Sequence, residues 1–207
     1  EYYKNGKLKF EGEYLNGKKW NGNGYNIINE IIFEMRNGRG KGKEYDFDGK
    51  LEFEGEYLNG RKNGKGKEYV NNEILKFEGE YLNGIKNGKG KEYYLNGKLE
   101  FEGEYLNNKR WNGNGYNINT DIEFKIKDGK GNIKKYDYNG KLIIEAEYLN
   151  GEKNGKGKVY YWNGKLLSEG EYLNGKKNGK GKVYYYDGKL LSEGEYLNGL
   201  KNGKGKE

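Results

Sequence analysis

The 207-residue sequence has no proline, no cysteine and no histidine. The absence of Cys and His excludes disulfides, thiol nucleophiles, imidazole bases and the ligand sets of structural zinc. Long apolar runs are also missing, so no stretch reads as a signal peptide or a membrane-spanning helix. Aliphatic side chains are scarce. Leu, Ile, Val and Phe together number 40, a share close to that of disordered chains. Two features argue against disorder: the net charge is only +7 and 15% of the residues are aromatic. Glycine (37) and tyrosine (22) are abundant, and 39 Lys and Arg face 32 Asp and Glu.

The chain is a repeat. Glu-Gly-Glu-Tyr-Leu-Asn occurs at Glu11–Asn16, Glu54–Asn59, Glu78–Asn83, Glu102–Asn107, Glu169–Asn174 and Glu193–Asn198, and a seventh copy reads Glu145-Ala146-Glu147-Tyr148. Its tyrosines fall at 14, 57, 81, 105, 148, 172 and 196, and each long gap hides a degenerate unit, at Phe33 and Phe124. The register is a 19-residue unit and three of 24, repeated with a super-period of 91. A single array results, with units near 14–32, 33–56, 57–80, 81–104, 105–123, 124–147, 148–171 and 172–195 and a partial unit 196–207. The short units share Trp-Asn-Gly-Asn-Gly-Tyr at Trp20–Tyr25 and Trp111–Tyr116.

Leu99, Phe101, Gly103 and Tyr105 alternate with Glu100, Glu102 and Glu104, the period-2 pattern of a half-buried strand. Gly157, Val159 and Tyr161 alternate with Lys158 and Tyr160 in the partner. Asn96-Gly97, Asn139-Gly140 and Asn163-Gly164 are assigned to two-residue type I′ turns, and Asn83 to Gly88 to a longer loop. Each unit thus reads as one β-hairpin, with Glu facing Lys across strands as a register and solubility device. Gly66, Gly90, Gly157 and Gly181 interrupt strands, so an aromatic ring from the next strand is expected over each. The predicted fold class is all-β: an elongated, single-layer antiparallel sheet of stacked hairpins with a narrow apolar strip as its core.

Tyr-x-x-Gly-x-x-x-Gly-x-Gly, as in Tyr57-Leu58-Asn59-Gly60 with Gly64-Lys65-Gly66, resembles the MORN repeat, particularly its variant class. The resemblance covers almost the whole chain and implies a grooved hairpin array used as a scaffold for protein contact, dimerisation or attachment near membranes, with no catalytic residues. Most units depart from it by carrying Lys or Arg where many members have Trp. Ile133 and Ala146 replace repeat glycines, and local distortion of the sheet is expected there.

The only non-Tyr hydroxyls are Ser168, Ser192 and Thr120. None has an imidazole partner, so the protein is read as a non-enzyme without metal or cofactor. Nucleic acid is disfavoured because Glu matches Lys nearly one for one. Lys18-Lys19, Lys176-Lys177 and the Asn-Gly-Lys-Gly-Lys segments are read as an edge for weak contact with anionic membrane. Tyr105, Tyr161 and Tyr185 are assigned to the core. Tyr69, Tyr93, Tyr160 and Tyr184 fall on the opposite face as an exposed ladder and, with Trp20, Trp111 and Trp162, are the candidate binding residues. The expected function is a scaffold for a protein partner or for self-assembly, supported by strand edges exposed at Glu1 and Glu207. A glycan or cell-wall polymer module is the alternative. The expected location is cytoplasmic, membrane-associated or within a fibrous assembly.

Overall fold

The structure is a computed structural model that describes residues 1–70, 74–137 and 139–206. Glu207, read above as an exposed edge, lies outside the described residues. Eighteen antiparallel strands and no helix occur among the described residues, in open sheets of eleven and seven strands whose order follows the chain. The chain divides into two compact units, residues 1–97 with 105–108 and residues 98–104 with 109–207. Unit 1 holds β1 (Phe10–Leu15), β2 (Lys18–Tyr25), β3 (Ile31–Arg36), β4 (Arg39–Tyr45), β5 (Leu51–Leu58), β6 (Arg61–Val70), β7 (Ile74–Leu82) and β8 (Ile85–Tyr93). After β9 (Leu99–Leu106), which contributes to both, unit 2 holds β10 (Lys109–Tyr116), β11 (Ile122–Ile126), β12 (Gly131–Tyr136), β13 (Leu142–Leu149), β14 (Glu152–Tyr160), β15 (Leu166–Leu173), β16 (Lys176–Tyr184), β17 (Leu190–Leu197) and β18 (Leu200–Lys206).

The two kinds of turn are the reverse of the sequence expectation. Type I′ geometry needs positive φ at both central residues, and Asn59-Gly60 (53° and 65°) and Asn83-Gly84 (53° and 94°) supply it. The two-residue turns therefore follow Tyr-Leu, and Asn87-Gly88 lies inside β8 rather than in a loop. At Asn163-Gly164 only the glycine has positive φ. There the Gly164 amide donates to Tyr161 O and the Tyr161 amide to Lys165 O, both at 2.8 Å, which makes a type I turn closed by a glycine bulge. The type I′ turns also stack: the Gly60 amide donates to Gly38 O and the Gly84 amide to Lys62 O, both at 2.8 Å.

Glycines form a line across the strands of unit 1, with Gly42, Gly55, Gly66, Gly79 and Gly90 as successive cross-strand partners. The Phe53 ring covers Gly55 and Gly66, and the Phe77 ring covers Gly79 and Gly90; a β-carbon on Gly66 would come within 2.5 Å of Phe53 Cζ. The expected ring-over-glycine packing is therefore present, and in unit 2 Tyr172 and Tyr196 lie on Gly157 and Gly181. Edge-to-face contacts carry the core of unit 1 from strand to strand, with Phe53–Tyr81 at 5.4 Å, Phe77–Tyr81 at 5.6 Å and Phe77–Tyr105 at 5.1 Å between ring centroids. Each such pair contributes about 0.5–1.5 kcal/mol beyond its buried area.

Ile133 and Ala146 do not distort the sheet. They face each other in an ordinary ladder position of β12 and β13 and are both buried. The position occupied by Phe53 in unit 1 holds the smaller Ile144 here, so the two extra side chains supply the volume that a phenylalanine ring fills elsewhere.

Tyr105 is in the core as expected, but Tyr161 is only half-buried and Tyr185 is 52% exposed. Tyr161 is held because its hydroxyl donates at 2.9 Å to Tyr184 O at the end of β16, two strands along from β14. Tyr185 lies in the connection between β16 and β17.

Gly55→Ala should lower stability by about 1–3 kcal/mol, because the added methyl meets Phe53 and the backbone of β6. Ala146→Gly should cost only about 1 kcal/mol. Urea denaturation followed by circular dichroism tests the order.

Candidate interaction surfaces

One face of the sheet carries the alternating charges. Glu54 lies 3.6 Å from Lys67 and 4.0 Å from Lys43 on the two neighbouring strands. The tyrosines of this face are tied to the same carboxylates: Tyr69 donates to Glu54 at 2.8 Å, Tyr93 to Glu78 at 2.6 Å and Tyr184 to Glu169 at 2.8 Å. Donating this hydrogen bond to Glu169 raises the Tyr184 phenol above its ordinary pKa. Tyr69, Tyr93, Tyr160 and Tyr184 are all half-buried, so the ladder expected to be exposed is only partly so. An open groove of about 720 Å³ runs over the glycine line on this face, with Lys43, Glu54, Lys67 and Glu78 among its walls.

The second glutamate of Glu-Gly-Glu has a different task. Between Gly55 and Tyr57 the register jumps, since Gly55 pairs with Gly66 and Tyr57 with Lys62. Gly64, at φ +87°, forms the bulge, and the Glu56 carboxylate lies over it and accepts from the Lys65 amide at 3.3 Å. Glu80 takes the Lys89 amide in the same way at 2.8 Å. The Asn-Gly-Lys-Gly-Lys segments are therefore parts of strands, not loops offered along an edge to a membrane.

Sequence reasoning missed a row of cations on the opposite, aromatic face. Lys62 Nζ sits 3.9 Å from the centroid of Phe53, Lys86 4.0 Å from Phe77, and the Arg110 guanidinium 4.8 Å from Phe101. Each is neutralised: Lys62 by Glu44 at 3.7 Å, Lys86 by Glu68 at 2.9 Å and Glu92 at 3.7 Å, and Arg110 by Glu100. The Tyr57 and Tyr81 hydroxyls are buried beside Glu44 and Glu68 without an aligned hydrogen-bond partner, and burial drives both phenols far above their usual pKa. The signal was a basic residue five positions after every repeat tyrosine. Lys19 and Lys177, read above as edge residues, belong to this row; Lys19 lies 4.7 Å from the Phe10 ring.

Beyond Arg110, unit 2 keeps the cations and loses the acids. Lys153 lies 4.8 Å from the Tyr172 ring and Lys177 5.1 Å from the Tyr196 ring. Lys135, Val159 and Val183 occupy the positions of Glu44, Glu68 and Glu92. Among the described residues neither Lys153 nor Lys177 has a carboxylate at ion-pair distance. Burial lowers both pKa values, and Lys153 lowers that of Lys177 further. The exchange is paired across strands: Glu68 faces Phe77 in unit 1, whereas Val159 faces the buried Ser168 in unit 2.

The tryptophans divide. Trp20 packs on Gly38 and Trp111 on Gly129, and each accepts that glycine's amide at its own carbonyl at 2.8 Å. Both are half-buried wedges. Trp162 is 69% exposed at the tip of a three-residue loop, and its ring lies 5.4 Å from that of Tyr186. The same tip position holds Phe47, Leu95 and Tyr186, all exposed.

Alkali should unfold the aromatic core of unit 1. A phenol whose pKa is raised on folding contributes stability that is complete below about pH 10, its unfolded value, and is lost as pH rises beyond it. Tyr57→Phe with Tyr81→Phe should therefore raise the midpoint of alkaline unfolding, with little change at neutral pH. Absorbance of ionised tyrosine against pH checks this.

No curated protein matches the chain. The MORN repeat matches residues 53–73, 169–189 and 193–207, and the MORN repeat variant matches 1–16, 39–59, 86–107, 130–150 and 153–174. These segments cover well over half of the sequence and bring the Tyr-Leu-Asn-Gly turn and its hairpin into one pattern: the chain belongs to the MORN repeat family.

Proposed function

We propose that this array is a non-enzymatic scaffold that holds a protein partner or a second copy of itself along the rim of loop tips of each unit. Repeats of this family are commonly protein-interaction or membrane-associated modules. The supporting observation is that each unit carries apolar side chains at the tips of its three-residue loops. Phe47 is 61% exposed, Leu95 42%, Trp162 69% and Tyr186 44%. A solvated turn favours Asn, Asp, Gly or Ser, so the large apolar groups at Phe47, Leu95, Trp162 and Tyr186 serve something other than the turn. Trp and Tyr are the residues that most often dominate binding energy at interfaces. Contacts repeated at one spacing add avidity without requiring a strong single site.

The half-buried tyrosines are the weaker part of the surface, since their hydroxyls are already taken by Glu54, Glu78 and Glu169. Trp162→Ser with Tyr186→Ser should reduce protein capture by the immobilised chain at least tenfold and leave its circular dichroism unchanged. Tyr69, Tyr93, Tyr160 and Tyr184→Ser together should reduce capture much less. Equal loss in both variants would reject the rim as the contact surface. The exposed Trp162–Tyr186 pair also fits stacking on a sugar ring, and this supports the glycan alternative. Tryptophan fluorescence that stays flat on titration with cell-wall polymers counts against it.

A further inference from the structure

In unit 2 the lysines Lys153 and Lys177 lie on aromatic rings with no carboxylate at ion-pair distance among the described residues. In unit 1 the fold shows what this position takes: a Glu carboxylate beside a lysine that lies on an aromatic ring, as for Lys86 with Glu68 at 2.9 Å over Phe77 at 4.0 Å. In unit 2 the lysines and rings are repeated at Lys153–Tyr172 and Lys177–Tyr196, while Lys135 and Val159 stand where the carboxylates would be. We propose that this face docks an acidic peptide whose carboxylates complete the pairs from outside, with the peptide lying across the strands in polyproline II conformation.

Spacing selects the conformation. Lys153 is on β14 and Lys177 on β16, two strands apart and thus about 9.6 Å along the sheet. A polyproline II helix rises about 3.1 Å per residue with three residues per turn, which places every third side chain on one side at about 9.3 Å. An extended β-strand puts residues i and i+3 on opposite faces, so it cannot present the same pair. Polyproline II ligands are also recognised in aromatic-lined grooves, and Tyr172 and Tyr196 form the floor here. The lysine pair is partly desolvated and self-repelling without an anion, so an arriving carboxylate removes a cost that the free protein carries. This inference rests on the scaffold reading and narrows it to a partner with acidic residues every third position.

The test uses the full chain and a fluorescein-labelled peptide of four Pro-Pro-Glu repeats, read by fluorescence anisotropy. Binding should weaken at least tenfold when the peptide carries Gln for Glu, when its acids are moved to every second residue, and when the protein carries Lys153→Gln with Lys177→Gln. Lys135→Glu with Val159→Glu, which supplies carboxylates from within the chain, should weaken binding by a similar factor while raising the melting temperature. This variant decides the question if the glutamine pair fails to fold by circular dichroism. Equal affinity of the Gln peptide, or undiminished binding by the Lys135→Glu, Val159→Glu protein, overturns the proposal. So does lysine-dependent binding of oligogalacturonate, or of phosphatidylserine vesicles, without binding of the peptide. Failure of the peptide with rim-dependent capture intact removes this inference alone. Loss of rim dependence with the peptide still bound removes the rim reading alone.

Discussion

The fold depends on an aromatic ring seated over a pair of cross-strand glycines. A one-layer sheet has no second layer to cover it, and a chain with so few aliphatic residues cannot build one. The absence of β-carbons at Gly55 and Gly66 lets the Phe53 ring approach the backbone of both residues, so one ring covers two strands. Edge-to-face contact with Tyr57 and Tyr81 then carries that cover to the next hairpin. Stability is built from nearest-neighbour terms, and the scarcity of Leu, Ile and Val is a consequence of this economy rather than a sign of disorder.

The remaining repeated residues follow from it. A ring over the glycines leaves a cation to close its outer side, and Lys62 or Lys86 does so with an acid from the adjacent strand. Where the ring is lost, the acid goes with it: Ser168 with Val159 and Ser192 with Val183 are paired across strands. The lysines nonetheless stay. Their persistence at Lys153 and Lys177 without acids is the least self-sufficient feature of the packing and the reason unit 2 offers a charge site that unit 1 closes.

Much of this was legible beforehand, and the misses share a cause. Period-2 alternation in Leu99–Tyr105 and the need to cover Gly66 and Gly157 are local properties, and both read correctly. Asn-Gly, however, occurs at three structurally different places: a type I′ turn at 59–60, a bulge at 63–64 and the end of a type I turn at 163–164. Positive φ at the asparagine itself depends on which strands flank it and is not visible in the dipeptide. Placing Asn87-Gly88 in a loop hid the fact that Lys86 belongs to a strand and lies on the aromatic side. Tyr69 and Tyr93 were put on the correct face, but their partner acids one strand away turned a presumed exposed ladder into fixed packing.

The stacked turns bear on the chemical lifetime of the chain. Asn-Gly is the dipeptide in which the glycine nitrogen most readily attacks the preceding side-chain amide, releasing ammonia and leaving a succinimide that hydrolyses to aspartate or isoaspartate. At Gly60 and Gly84 that nitrogen already donates to a carbonyl of the preceding hairpin at 2.8 Å. The contact that registers one hairpin on the next therefore also engages the nitrogen that this reaction needs at these two turns.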